Sequence, residues 1–197
     1  MTLEALLPLI LFAFSSTFTP GPNNMMLLSS GANFGFRRTI PHMLGISVGF
    51  SFMLILVGIG IIQIFNAWEF SYVVLKTASI TYMLYLAMKI ATAADRLKDS
   101  EAKAKPLSFT QAALFQWVNP KAWTMALTTL SLYLPTHNFI SILTASAVFG
   151  LINLPSVSIW TLLGREMTRW LNNKKRLQLF NRTMAGLLLL SLYPILV

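Results

Sequence analysis

A polar run of six residues, Thr19-Pro20-Gly21-Pro22-Asn23-Asn24, lies within an apolar stretch that extends from Leu3 to Ser30. The stretch exceeds the roughly 20 residues that a helix needs to cross a bilayer. Pro20 and Pro22 each remove a backbone donor and clash with the preceding helical turn, while Gly21 adds conformational freedom. The sequence therefore predicts a membrane helix that is interrupted partway along its length.

The composition of the whole chain also favours a location in the membrane. Of the 197 residues, 55% are hydrophobic and 11% are charged, and the mean hydropathy is +0.65. An ordinary soluble domain carries about 25% charged residues, so this chain has too few to cover a globule in water. The lack of cysteine excludes disulfides, thiolate metal sites and cysteine nucleophiles. These features predict a small polytopic membrane protein with a single transmembrane domain over residues 1–197.

Six stretches of the sequence are long and apolar enough to be membrane helices. They run over Leu3–Ser30, His42–Ile64, Phe70–Thr92, Gln111–Leu134, Phe139–Leu163 and Leu177–Val197. The predicted fold class is therefore an all-α polytopic membrane protein with six transmembrane helices.

The net charge of +9 is distributed unevenly over the loops between these helices. Lys and Arg cluster in the first, third and fifth loops, which include Arg37, Arg38, Lys105, Arg169 and Lys174. The second and fourth loops and both chain ends have none. Basic residues are retained on the cytoplasmic side, so the odd loops are predicted to face the cytoplasm and both termini the periplasm. The same rule accounts for the positive charge without a nucleic-acid partner.

The loop over about residues 94–108 divides the chain into two halves, about 1–93 and 109–197. It mixes both charge signs and contains Pro106, which is typical of a cytoplasmic linker. Three helices in each half give the two halves opposite orientations in the membrane. That arrangement is the inverted repeat of many secondary transporters, and the number of spans predicts it here.

The fourth apolar stretch contains a second interruption, Asn119-Pro120-Lys121. The first and fourth helices begin the two halves, and interrupted helices in corresponding positions indicate the binding site of a transporter. A helix that restarts at Pro22 presents backbone N–H groups and the positive end of its dipole at membrane depth. Asn23 and Asn24 add amide donors and acceptors. The pattern predicts a carboxylate site, and a proline kink that serves only packing is the alternative.

Three further polar residues within the spans are candidates for substrate binding. Lys76 and Lys121 lie in the third and fourth helices, where a central lysine costs roughly 2.5–3.5 kcal/mol. Each is a candidate counter-ion for a carboxylate or a cap for carbonyls freed at the breaks, and snorkelling toward the headgroups is the alternative. Asn153, just before Pro155, marks either a third break or an interhelical hydrogen bond.

Catalytic chemistry has little support in the sequence. All six acidic residues fall in loops or at predicted helix ends, so no carboxylate is expected at membrane depth. His42 and His137 are far apart and form neither a metal pair nor a catalytic dyad. No catalytic residue, metal or cofactor is therefore expected.

Several motifs are spread over nearly the whole chain. They are Thr19-Pro20-Gly21-Pro22-Asn23-Asn24, Gly35-Phe36-Arg37, Gly45-Ile46-Ser47-Val48-Gly49-Phe50, Leu75-Lys76, Tyr82, Tyr85-Leu86-Ala87-Met88-Lys89-Ile90-Ala91 and Asn119-Pro120-Lys121. Together they resemble the LysE/RhtB family of bacterial amino-acid exporters. The first motif, together with Lys89-Ile90-Ala91 and Lys105-Pro106-Leu107-Ser108-Phe109, resembles the cysteine/O-acetylserine exporter group most closely.

The resemblance implies gradient-driven efflux of small amino acids or derivatives, of the cysteine/O-acetylserine or threonine/homoserine type, across the bacterial inner membrane. It implies a coupling proton or another ion, and it suggests a homodimer. Many family members carry an acidic residue directly after Pro-Gly-Pro, where this chain has Asn23, so a proton-coupling role does not transfer to that position. A passive amino-acid channel and a membrane-embedded enzyme are the alternative functions.

Overall fold

The computed structural model describes residues 3–61, 63, 67, 70–94, 105–134, 138–171 and 173–193. The regular elements in these ranges are helices: α1 Leu3–Phe18, α2 Pro22–Leu56, α3 Phe70–Ala91, α4 Phe109–Val118, α5 Pro120–Thr128, α6 Phe139–Met167 and α7 Lys174–Leu190. Short π-helical turns, Val57–Ile61 and Thr129–Tyr133, extend α2 and α5. The predicted all-α class is confirmed. Residues 95–104 of the predicted linker, and both chain ends, lie outside the described residues.

Within the described residues, three helices are long and apolar enough to cross a bilayer. They are Pro22–Ile61, Val73–Ala91 and Phe139–Met167. Leu6–Phe18 is a shorter apolar helix, which the break at residues 19–21 separates from α2.

The surface of the described residues carries many large apolar side chains, unlike that of a soluble protein. Leu132 and Ile140 are 73% exposed and Leu151 is 72% exposed, although each would favour burial in water. Gln116 and Asn181, by contrast, are fully buried at 0% exposure. Apolar side chains at the surface and amides in the interior are what a bilayer requires, because acyl chains solvate leucine but cannot hydrogen-bond to an amide.

Helix α2 folds back on itself at Gly35, whose backbone has φ 75° and ψ 173°. This region of φ strongly favours glycine. Ser30 Oγ and Thr39 Oγ1 are 3.1 Å apart, whereas nine residues of straight helix would span about 13 Å. Thr39 Oγ1 also donates to the Gly35 carbonyl at 2.8 Å. The helix therefore has two arms, the N-terminal arm over residues 22–34 and the C-terminal arm over residues 36–56.

This reversal differs from the loop that the sequence predicts between Ser30 and His42. The chain stays helical on both sides of Gly35, because one glycine with positive φ is enough to reverse its direction. The exposed Arg37 and Arg38 lie directly after the bend, so the basic charge of the predicted loop is placed at this end of the molecule.

The N-terminal arm of α2 packs against α6 with backbone touching backbone. A Cβ atom added at Gly31 would overlap the carbonyl oxygen of Thr161, and one added at Gly164 would overlap that of Leu28. Glycine is required at both positions because any side chain would push the two helices apart. The arm and α6 therefore form one tightly fitted layer beside the break at residues 19–21.

We predict that Gly164→Ala destabilises the protein, because the new methyl group meets a backbone carbonyl that cannot rotate away. Overpacking of this kind costs about 1–3 kcal/mol. The matched control is Gly186→Ala in α7, where a Cβ meets no atom within 4 Å. Thermal denaturation in detergent should show a lower midpoint for Gly164→Ala and no loss for Gly186→Ala. Equal midpoints for the two variants would contradict the close fit of the arm against α6.

Candidate functional site

The first break separates α1 from α2 at Thr19, Pro20 and Gly21. Pro22 begins α2 in the first helical turn, where its missing N–H costs nothing. The last carbonyls of α1 lack helical partners, and Asn24 supplies a side-chain donor to two of them. Its Nδ2 donates to the Thr17 carbonyl at 3.0 Å and to the Thr19 carbonyl at 2.7 Å. Asn24 is only 5% exposed, so these bonds hold the break together from within the protein.

Lys121 satisfies more of the same helix end from α5. Its Nζ donates to the Thr19 carbonyl at 2.7 Å, to Thr19 Oγ1 at 2.9 Å and to the Pro20 carbonyl at 3.4 Å. An ammonium group at a helix C-terminus is also favoured by the negative end of the helix dipole. A Cβ at Gly21 would lie 2.7 Å from Lys121 Cδ, so glycine provides the space for the lysine.

Helix α6 contributes a third donor to the end of α1. Ser156 Oγ donates to the Thr17 carbonyl at 2.9 Å, and Ser156 is fully buried. The three donors come from α2, α5 and α6, so these helices converge on the point where α1 ends. The helix α6 itself runs without a break through Pro155, and the predicted alternative of a third interruption at Asn153 is wrong.

The second break lies between α4 and α5 at Asn119. Its backbone is extended, with φ −88° and ψ 111°, and Pro120 begins the next helix. Asn119 Oδ1 accepts a hydrogen bond from the Lys121 N–H at 3.1 Å, which caps the first turn of α5. Asn119 therefore caps the helix that restarts after the second break.

A reciprocal pair of amides joins the two breaks. Asn23 Nδ2 donates to Gln116 Oε1 at 2.9 Å, and Gln116 Nε2 donates back to Asn23 Oδ1 at 3.1 Å. Gln116 Nε2 also donates to the Ala112 carbonyl within α4 at 2.9 Å. The start of α2 and the end of α4 are thus tied to each other across 93 residues of sequence.

A small cavity of about 30 Å³ lies between the two breaks. Its polar lining consists of Ser16, Thr17, Asn23, Asn24, Gln116, Asn119, Lys121 and Asn153, with Phe50 and Met125 among the apolar residues. The volume suits about one water molecule, and a small amino acid does not fit. The described conformation is therefore closed around the polar groups.

Most of the predicted site residues come together at this cavity. Gly21, Asn23, Asn24, Asn119, Lys121 and Asn153 line it. Pro20, Pro22 and Pro120 shape the two breaks. Lys76 does not line the cavity, because it lies on the exposed face of α3. The sequence analysis missed Gln116 and Ser156. Gln116 could have been noticed because it lies three residues before the second break, and Ser156 because it directly follows Pro155.

Two helices that break beside a shared polar cavity are typical of membrane transporters. The family model of the LysE type translocator matches residues 14–192, and the chain belongs to this family.

Curated relatives support the same assignment. The cysteine/O-acetylserine efflux protein of Shigella flexneri serotype 5b (strain 8401) is 32% identical over 177 residues, which cover 82% of this chain and 86% of the relative. The protein of the same name from Escherichia coli (strain K12) is 32% identical over 168 residues, which cover 80% of this chain and 81% of the relative. No solved structure matches the chain.

We predict that Lys121→Met lowers the stability of the protein by about 0.5–1.5 kcal/mol, because the Pro20 carbonyl loses the ammonium donor and the Thr19 carbonyl keeps only Asn24. Lys76→Met is the matched control, since it removes the same side chain from the exposed face of another apolar helix. Thermal denaturation of both variants in one detergent gives the comparison. A midpoint for Lys121→Met at or above that of Lys76→Met would show that the ammonium does not hold the break.

Proposed function

We propose that the protein exports small amino acids or their derivatives across the bacterial inner membrane. Cysteine and O-acetylserine are the first candidate substrates, because the relatives that the chain matches are named for their efflux. Threonine and homoserine are the second pair. The observation that carries the proposal is the polar cavity between two broken helices, where helix ends and amide side chains lie close together.

The substrate carboxylate binds at the start of the N-terminal arm of α2. The first turn of a helix has N–H groups without intrahelical partners, and the positive dipole end attracts an anion. Asn23 and Asn24 belong to this turn and line the cavity. The ammonium of Lys121 is the charged partner, and it must exchange its present carbonyl acceptors for the substrate.

The chain crosses the membrane six times, as two inverted halves of three helices. In this arrangement α1 with the N-terminal arm of α2 makes the first span, and α4 with α5 makes the fourth. A reciprocal contact between the halves supports the repeat: Ser51 Oγ donates to the Ser146 carbonyl at 3.1 Å, and Ser146 Oγ donates to the Ser51 carbonyl at 2.8 Å. Two-fold related surfaces produce such mutual contacts. The same spacing of 95 residues relates Asn24 to Asn119, one at each break.

The basic residues around the Gly35 bend and the start of α4 face the cytoplasm, and both termini face the periplasm. Arg37, Arg38 and Lys105 are all exposed there. The segment between the halves is then a cytoplasmic linker.

Export proceeds by alternating access, driven by the membrane gradient. The potential supplies about 2.3 kcal/mol per charge for each 100 mV, so an exchanged proton or another ion is sufficient to couple the cycle. The cavity of about 30 Å³ favours this mechanism over a passive channel, because a channel needs a continuous path. The resemblance to the LysE/RhtB family suggests a homodimer as the functional unit.

Proteoliposomes that contain the purified protein provide the test. They are loaded with labelled cysteine, O-acetylserine, threonine, homoserine, leucine or lysine, and efflux is followed under an imposed pH or voltage gradient. We expect uphill counterflow of at least one small neutral amino acid. Movement that only follows the concentration gradient would favour the channel, and no movement of any compound would exclude amino-acid export.

We predict that Asn24→Leu lowers the efflux rate at least tenfold while the variant still inserts into the membrane. The leucine removes the amide that caps α1 and lines the cavity. Ser158→Ala is a suitable control, because Ser158 Oγ donates only within α6, to the Leu154 carbonyl at 2.8 Å. If the Asn24→Leu variant inserts into the membrane and exports at the full rate, the first break is not part of the substrate site.

A further inference from the structure

A second, larger cavity lies near the Gly35 bend, at the end of the molecule that carries basic residues. Its volume is about 270 Å³, roughly nine times that of the cavity between the breaks. It is lined by residues from both arms of α2, from α3 and from the segment 105–107. A water molecule takes up about 30 Å³ of liquid, so this cavity has room for a small amino acid.

His42 is the most unusual residue in its wall. The side chain is only 1% exposed, and neither Nδ1 nor Nε2 has a hydrogen-bond partner. An unpaired buried imidazole costs free energy, because it loses its hydrogen bonds to water and receives none in return. Since His42 lines the cavity, a ligand placed there can pair with it.

The charges and hydroxyls around His42 suit the two ends of a zwitterion. Lys89 and Lys105 line the cavity and favour an anionic group such as a carboxylate. The hydroxyl oxygens of Ser29 and Ser30 also line it, and each hydroxyl proton already has an acceptor.

The directions of their hydrogen bonds show that the hydroxyls of Ser29 and Ser30 can act as acceptors for a ligand. Ser29 Oγ donates to Asn181 Oδ1 at 3.3 Å. Thr39 Oγ1 gives its own proton to the Gly35 carbonyl, so Ser30 Oγ is the donor in its 3.1 Å contact with Thr39 Oγ1. Ser29 Oγ also accepts from Asn33 Nδ2 at 3.3 Å, which leaves it one lone pair, and the lone pairs of Ser30 Oγ are available as well. An ammonium group supplies donors for such acceptors.

We infer that this cavity is a loading site, which takes a small zwitterionic amino acid from the cytoplasm before it reaches the cavity between the breaks. The carboxylate lies toward His42, Lys89 and Lys105, and the ammonium lies toward Ser29 and Ser30. The inference rests on the proposed export function. Met26 lines this cavity and Asn23 lines the other, and one turn of the same helix, about 5 Å, separates them.

The signal of the His42 ring tests the site directly. The chain has two histidines, so nitrogen-15 labelling of histidine gives two ring environments, and a His137→Gln sample assigns them. The full chain in detergent is titrated with L-cysteine and separately with cysteamine, which lacks the carboxylate. We expect a saturable shift of the His42 signal with cysteine and at least tenfold weaker binding of cysteamine. No saturable shift with cysteine, or equal binding of both compounds, would overturn the loading site.

Charge variants add a second measurement. Lys89→Gln should weaken cysteine binding at least tenfold. Lys105→Gln should also weaken it, although Lys105 is exposed. Lys175→Gln in α7 changes the net charge equally but lies outside the cavity lining, so binding should not change. Equal effects of all three variants would show that binding depends only on the net charge of the protein, and this result would also overturn the loading site.

Efflux in proteoliposomes separates this inference from the proposed function. Export of cysteine without any cysteine-dependent shift of the His42 signal would support the proposed export function and contradict the loading site. A specific shift of the His42 signal in a protein that exports none of the tested amino acids would support a binding site at His42 and contradict the proposed export function.

Discussion

The backbone carbonyls at the end of α1 have no donors within their own helix, and donors from other helices pair with them. The carbonyls of Thr17, Thr19 and Pro20 receive theirs from Asn24, Lys121 and Ser156. Each donor belongs to a different helix, so satisfying this helix end draws α2, α5 and α6 to one point. The polar interior of the bundle follows from that requirement, because an interrupted backbone at membrane depth is stable only where protein groups pair with it.

The N-terminal arm of α2 connects the two polar regions of the molecule. The break at residues 19–21 limits it at one end and the Gly35 bend at the other. Asn23 and Asn24 lie at its start, and Ser29 and Ser30 lie toward its end. Because glycines at residues 31 and 164 bring the backbones of the arm and α6 into contact, the arm that borders both cavities is closely packed against α6.

Local sequence signals predicted the parts of this structure that depend on local backbone chemistry. Proline next to glycine or asparagine ends a helix whatever surrounds it, so both breaks could be placed before the fold was known. The partner of Lys121 could not, because Thr19 is 102 residues away and only packing brings them together. Composition also could not separate Lys76 from Lys121, since the two differ in the face of the helix on which they lie. The bend at Gly35 was not predicted, because a single glycine with positive φ reverses the chain where the sequence suggested a loop.

The three hydrogen bonds of Lys121 also set the concentration at which the proposed exporter would begin to work. An ammonium group has three protons, and in the closed state all of them are directed at oxygens of Thr19 and Pro20. An incoming carboxylate has to displace an internal competitor that is always present, and the apparent dissociation constant is the intrinsic one divided by the fraction of lysine that is free. In the proposed exporter, this competition raises the substrate concentration that half-saturates export.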